Sequence, residues 1–419
     1  MRRAPAELTG PRRLALATLV FGVALGGIEG ASRLTIWAAR SLFDEEIRTT
    51  RDLFREQSDR IRALLAPDTS RLLALDSVLG WRYRSNHRDS VNQTNADGVR
   101  SARQYTRSPM PGILRVAAFG NSFVYCNEVK NEDAWPRLVE DVNADVEVLN
   151  YGVGGYGLDQ AYLRFLAEGT RLSPRVVLIG FTPDDLGRVV NVYRRFRSNH
   201  EIPLVKPRYM LRENGELRLL PNPVRRPSDY DKYLMTPDAV KELGRYDQWY
   251  EPMVYEDRWY DYFAAIRVVT AAWIGLRRRY FGSDRLERGG VLNPSSHAFH
   301  IQVALFRRFA DGVRASGAEP IVVFLPDRAS VELARRGRRT VLVSLADTLD
   351  ARRIEYLDAT AAFMVGGQLS VDRWFMSGGH YSPLGNRLVA QWLGPRLRSR
   401  QQSRRVSVAP TPHRVRQDP

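Results

Sequence analysis

From Ile113 onward short apolar runs alternate with helical patterns, and that alternation constrains the fold more than any other feature of the sequence. The runs are RVAAF at Arg115–Phe119, VEVLN at Val146–Asn150, VVLIGF at Val176–Phe181, IVVFL at Ile321–Leu325 and IEYL at Ile354–Leu357. Helical patterns lie at Trp135–Asn143, Leu158–Glu168, Ser296–Ser316, Ser330–Ala351 and Pro383–Leu397. Strands that alternate with helices in this way pair in parallel, with helices covering the sheet. The expectation is an α/β chain: a three-layer flavodoxin-like domain with a five-stranded parallel sheet. In such a sheet ligands bind beyond the carboxyl ends of the strands, so the residues just after each strand are the ones to inspect.

The chain before this domain reads differently. After Arg12 and Arg13 comes an uncharged run, Leu14–Ile28. Its apolar character resumes past Glu29 and Arg33 through Leu34, Ile36 and Trp37. The run alone is about 22 Å long as a helix, short of a ~30 Å hydrocarbon core. Glu29 and Arg33, four residues apart, can pair near its far end and let the helix span. Residues 1–39 are therefore expected to be one transmembrane helix, an uncleaved single-pass anchor, with a cleaved signal peptide as the alternative. Arg2, Arg3, Arg12 and Arg13 place the N-terminus inside and the rest of the chain on the extracytoplasmic (periplasmic) side of the cell membrane. Residues 40–70 read as a charged amphipathic stalk that ends at Pro67. The domain proper covers 71–394, with an aromatic insertion over about 188–293 that lacks a clear period, and 395–419 reads as a disordered basic tail.

The formal charge of +16 invites a nucleic-acid reading. Most of the excess, however, sits at the two ends: the first 13 residues carry +3, and Arg396–Pro419 carries +6. The interior is only mildly basic, so no nucleic-acid partner is expected. Cys126 is the single cysteine, so neither an intrachain disulfide nor a thiolate cluster can form. No HExxH pair or zinc-type spacing occurs, and no metal or cofactor is expected. The arginine-for-lysine bias suggests a bacterial source.

Four segments at strand ends carry chemistry-bearing residues. The first is Gly120-Asn121-Ser122, where the serine can be an exposed nucleophile or only a helix N-cap. The second is Asn150–Gly157, rich in glycine, where a backbone N–H, that of Gly155 above all, can point at a developing oxyanion. The third is Gly180–Asp185 and the fourth Gly378-Gly379-His380 through Asn386, opening the last helix.

Together, in this order, these segments resemble the conserved blocks of the SGNH/GDSL hydrolase family, in particular bacterial members with a leading membrane helix. Asn95–Arg100 resembles their lead-in. The resemblance implies Ser122 as nucleophile and His380 as its base. It also implies an oxyanion hole formed by Ser122, Gly155 and the third-block position. That position, asparagine in the family, is Asp184 here. The family's acid, three residues before the histidine, is Ser377, and Asp372 is the nearest carboxylate upstream. The serine's neighbour is Asn121 where the family has aspartate. The expectation is a serine ester hydrolase working through a Ser–His dyad on acyl or acetyl esters, of envelope glycans or lipids. The alternatives are an O-acyltransferase for a surface polysaccharide and a non-catalytic glycan-binding domain.

Overall fold

The computed structural model describes residues 10–43, 47–66, 68, 70–198, 201–234, 236–277, 285–365 and 370–408. Pro67, expected to end the stalk, lies outside them, as does the tail from 409. The chain divides into two compact units. One comprises residues 1–65, 230–245 and 250–283; the other comprises 66–229, 246–249 and 284–419.

The larger unit holds the sheet. Its strands are β1 (Leu114–Gly120), β2 (Val146–Gly152), β3 (Val176–Phe181), β4 (Glu319–Phe324) and β5 (Tyr356–Asp358). All neighbours pair in parallel in the order β5-β4-β3-β1-β2. This is the flavodoxin-like order, in which the chain winds outward in both directions from β1 and β3 and leaves a crevice at their carboxyl ends. Every residue of β1 is buried; the strand is apolar but for Arg115, whose guanidinium pairs with Glu147. Side chains still alternate between the two faces. Leu114, Val116 and Ala118 join Trp135, Val139, Leu393 and Leu397 on one side. On the other, Phe119 stacks on Tyr151 at 4.7 Å and meets Phe165 edge-on at 5.8 Å.

The covering helices fall largely where the patterns put them: Trp135–Val142, Leu158–Glu168 and His297–Ala315. Two differ. The pattern over Ser330–Ala351 is two helices, Arg328–Arg335 and Val343–Ala351. Gly337 sits at φ +67°, with its N–H on the Ala334 carbonyl and that of Arg338 on Leu333, a left-handed cap that stops the first helix. The last helix runs from Pro383 to Val408, past the point where the tail was expected to begin.

In the smaller unit α1 (Gly10–Phe43) is long and apolar enough to cross a membrane. Of the stalk expected over 40–70, α1 takes residues 40–43 and α2 covers Thr50–Leu65. Thr49 and Asp52 cap its start, the Thr49 hydroxyl accepting from the Asp52 N–H at 3.1 Å and donating to its carboxylate at 2.7 Å. Its Leu53, Phe54 and Ile61 are buried, and Gln57 donates to the Leu234 carbonyl at 2.6 Å. The insertion contributes α3 (Ala264–Leu276), an apolar helix hidden in the sequence by its aromatic surroundings.

Candidate active site

Ser122 begins a four-residue helical turn directly after β1. The capping role belongs to its neighbour. The Asn121 side-chain oxygen accepts from the Phe123 N–H at 2.9 Å, leaving the serine hydroxyl free of that duty. The Asn121 amide also donates to Thr182 Oγ1 at 2.9 Å and to Asp185 Oδ2 at 2.8 Å, joining the ends of β1 and β3. Ser122 is buried, and among the described residues its Oγ has no hydrogen-bond partner.

The histidine arrives from the loop before the last helix. The Met376 N–H donates to the His380 carbonyl at 2.7 Å, closing a turn with Gly379 at φ +92°. Tyr381 anchors the loop through its hydroxyl on the Pro326 carbonyl, 2.8 Å away. The His380 ring lies 5.3 Å from that of Phe123, the residue after Ser122. Phe123 thus lies beside the imidazole, but the Ser122 hydroxyl and the imidazole are not hydrogen-bonded to each other.

The acid was not found in the sequence. The carboxylate that meets the ring is Glu128, 252 residues from the histidine in the chain. Its Oε2 lies 2.5 Å from His380 Nδ1 and accepts from the His380 N–H at 3.3 Å, while Oε1 accepts from the Gly378 N–H at 2.9 Å. A side chain at Gly378 would collide with this carboxylate, its Cβ falling 2.6 Å from both oxygens. Burial pushes the Glu128 carboxyl up, but the bonds from His380 and Gly378 outweigh it and hold the group below the usual range. On the side of the imidazole where the expected dyad has no acid, a carboxylate thus faces Nδ1. Ser377 takes no such part. Asp372 pairs with Arg328 instead and is strongly exposed.

Glu128 is held at φ +71° and Cys126 at φ +67°, backbone conformations that cost a non-glycine residue of order 1 kcal/mol or more. Arg100, from the lead-in segment, holds this loop. Its guanidinium donates to the carbonyls of Tyr125, Cys126 (2.6 Å) and Val129 (2.5 Å), and to Asn131 Oδ1 at 2.7 Å.

The glycine-rich segment after β2 is clamped by a hairpin, Leu73–Asp76 with Gly80–Tyr83. The Trp81 indole donates to the Gly154 carbonyl at 3.0 Å, and the Gly154 N–H donates to the Tyr83 hydroxyl at 3.0 Å. Gly155 follows at φ +79°. Neither its N–H nor that of Ser122 has a partner among the described residues.

Asp184 does not fit the third donor position. Arg188 and Arg197 both pair with its carboxylate. Burial acts to raise its pKa, but Arg188, Arg197 and Arg194 hold the group well below the usual carboxylate range. An ionised carboxylate accepts hydrogen bonds and repels an oxyanion, so Asp184 is corrected from donor to arginine partner.

No protein-family model matches the chain, and no curated protein matches it. Solved structures similar to it are lipolytic hydrolases of G-D-S-L type. The lipase/acylhydrolase from Enterococcus faecalis is 12% identical (TM-score 0.33; 69% of this chain and 97% of that one covered). A member of the lipolytic protein G-D-S-L family from Veillonella parvula DSM 2008 is 11% identical (TM-score 0.30; 66% and 94% covered). A GDSL-like lipase from Bacteroides thetaiotaomicron VPI-5482 is 11% identical (TM-score 0.31; 70% and 91% covered).

Proposed function

We propose that the chain is a membrane-anchored serine ester hydrolase, with Ser122 as nucleophile, His380 as base and Glu128 as the group that orients it. The observation that carries this reading is the Glu128 carboxylate on His380 Nδ1, which leaves the other ring nitrogen for a proton from the serine. His380 Nε2 takes the Ser122 proton as Oγ adds to an ester carbonyl. The N–H groups of Ser122 and Gly155 donate to the oxyanion. Collapse breaks the ester C–O bond, and the imidazolium returns its proton to the leaving alcohol. Water then attacks the acyl-enzyme by the same route. The Ser122–His380 bond forms when substrate fills the site; catalytic bonds are commonly long before that. The substrate class is an acyl or acetyl ester of an envelope glycan or lipid. That assignment rests on α1 as anchor and on the arginines before it, which favour an extracytoplasmic domain.

The charge of Asp184 and the open Ser122–His380 geometry favour a second reading, a non-catalytic glycan-binding domain. Labelling with a fluorophosphonate separates the two. The full chain is expected to label at Ser122, and Ser122→Ala to lose both label and hydrolysis of p-nitrophenyl acetate. An unlabelled wild-type protein would overturn the hydrolase. Free acid as product, with and without an oligosaccharide acceptor, distinguishes hydrolysis from acyl transfer.

A further inference from the structure

α3 is a second apolar helix beside α1. Its N-terminus has no local cap: Phe263 stands at the N-cap position and makes no side-chain bond there. The first amides are instead satisfied by α1. Glu29 accepts from the Ala264 N–H at 3.0 Å and from the Ala265 N–H at 3.2 Å, while its Oε1 also receives Arg33 Nε at 3.1 Å. A helix start whose donors are met by the neighbouring helix suits an environment without water.

The outward residues of α3 are apolar. Val269, Trp273 and Leu276 are exposed, Val269 to 68%, and their spacing of four and three residues puts them on one face. The helix's single charged residue, Arg267, lies about 200° around the axis from Val269 and donates to the Ile47 carbonyl at 3.3 Å. Trp259, exposed to 76%, with Tyr262 and Phe263 adds an aromatic cluster just before the helix. Such rings favour the boundary between lipid and water. Thirteen residues make a helix of about 20 Å, too short to cross a ~30 Å hydrocarbon core.

We infer that α3 and the aromatic turn before it are a second membrane contact, seated in one leaflet against α1, with the Val269–Trp273–Leu276 face toward lipid. The inference rests on α1 being the membrane anchor, and the test reads the two separately. Single cysteines are introduced by Leu19→Cys in α1, Val269→Cys in α3 and Val365→Cys on the larger unit, where Val365 is 82% exposed. Cys126 is buried and stays in place. Each full-length protein is labelled with the NBD fluorophore and reconstituted into phosphatidylethanolamine/phosphatidylglycerol vesicles with or without doxyl-labelled lipid. The expected result is a loss of emission of about two-fold or more at 19 and 269, and none at 365. Quenching at 19 with 269 behaving like 365 would overturn the inference and leave the anchor standing. No quenching at 19 would overturn the anchor and the inference with it.

Discussion

Glu128→Gln keeps the size of the side chain and removes the charge that faces His380 Nδ1. If that carboxylate holds the ring for proton transfer, kcat falls by about 100- to 10,000-fold while KM moves little. Ser377→Ala and Asp372→Asn stay near wild type, because neither group contacts the ring. Ester hydrolysis by the three variants checks this; an active Glu128→Gln alone would remove Glu128 from the mechanism. Asp184 gives a second residue-scale prediction. Its pKa is depressed in the folded chain, so its ionised form contributes stability above the unfolded value of about 4, and that contribution is lost as pH falls through the folded value. Asp184→Asn should therefore lower Tm at pH 6, and the gap to wild type should begin to narrow below pH 4 and shrink further toward pH 2. A gap as wide at pH 2 as at pH 6 would assign the loss to packing instead. Ser122 and His380 can be singled out in the sequence because each stands at a strand end or helix start beside glycines. Glu128 cannot, because its position depends on a left-handed backbone at a non-glycine residue and on Arg100 gripping carbonyls, neither of which has a sequence signature.

At the scale of elements, the helical turn that presents Ser122 is packed against β2 with no space between them. A Cβ at Gly152 would lie 2.2 Å from the Tyr125 backbone nitrogen, a contact that main chain cannot yield to cheaply. Gly152→Ala should cost about 1–3 kcal/mol and displace the turn, lowering both Tm and Ser122 labelling. Unchanged labelling would mean that the turn is not seated by β2. Strands were readable because burial on both faces leaves few polar residues in them. What failed was reading continuity. A periodic pattern ran straight through the cap at Gly337, and the charged stretch after α1 concealed the new start at Thr49. α3 was missed because its apolar run follows an aromatic stretch without period, and its start is satisfied by Glu29, more than 200 residues earlier.

For the whole molecule, two forces could hold the chain to a membrane, and they answer salt in opposite ways. The basic ends would draw it to an anionic surface by charge, an attraction that is largely screened at 1 M salt, where the Debye length is about 3 Å. α1 would hold it by apolar burial, since none of the residues in its apolar stretch is buried by the rest of the chain. At roughly 25 cal/mol per Å² of buried apolar surface, that term far exceeds what a few surface arginines contribute, and salt does not weaken it. The full-length protein should therefore sediment with membranes in 1 M NaCl and leave them only in detergent. Release by salt alone would mean that the arginine-rich ends do the holding, and the case for an anchored, extracytoplasmic esterase would lose its topological half while the Ser122–His380–Glu128 chemistry remained to be judged by labelling.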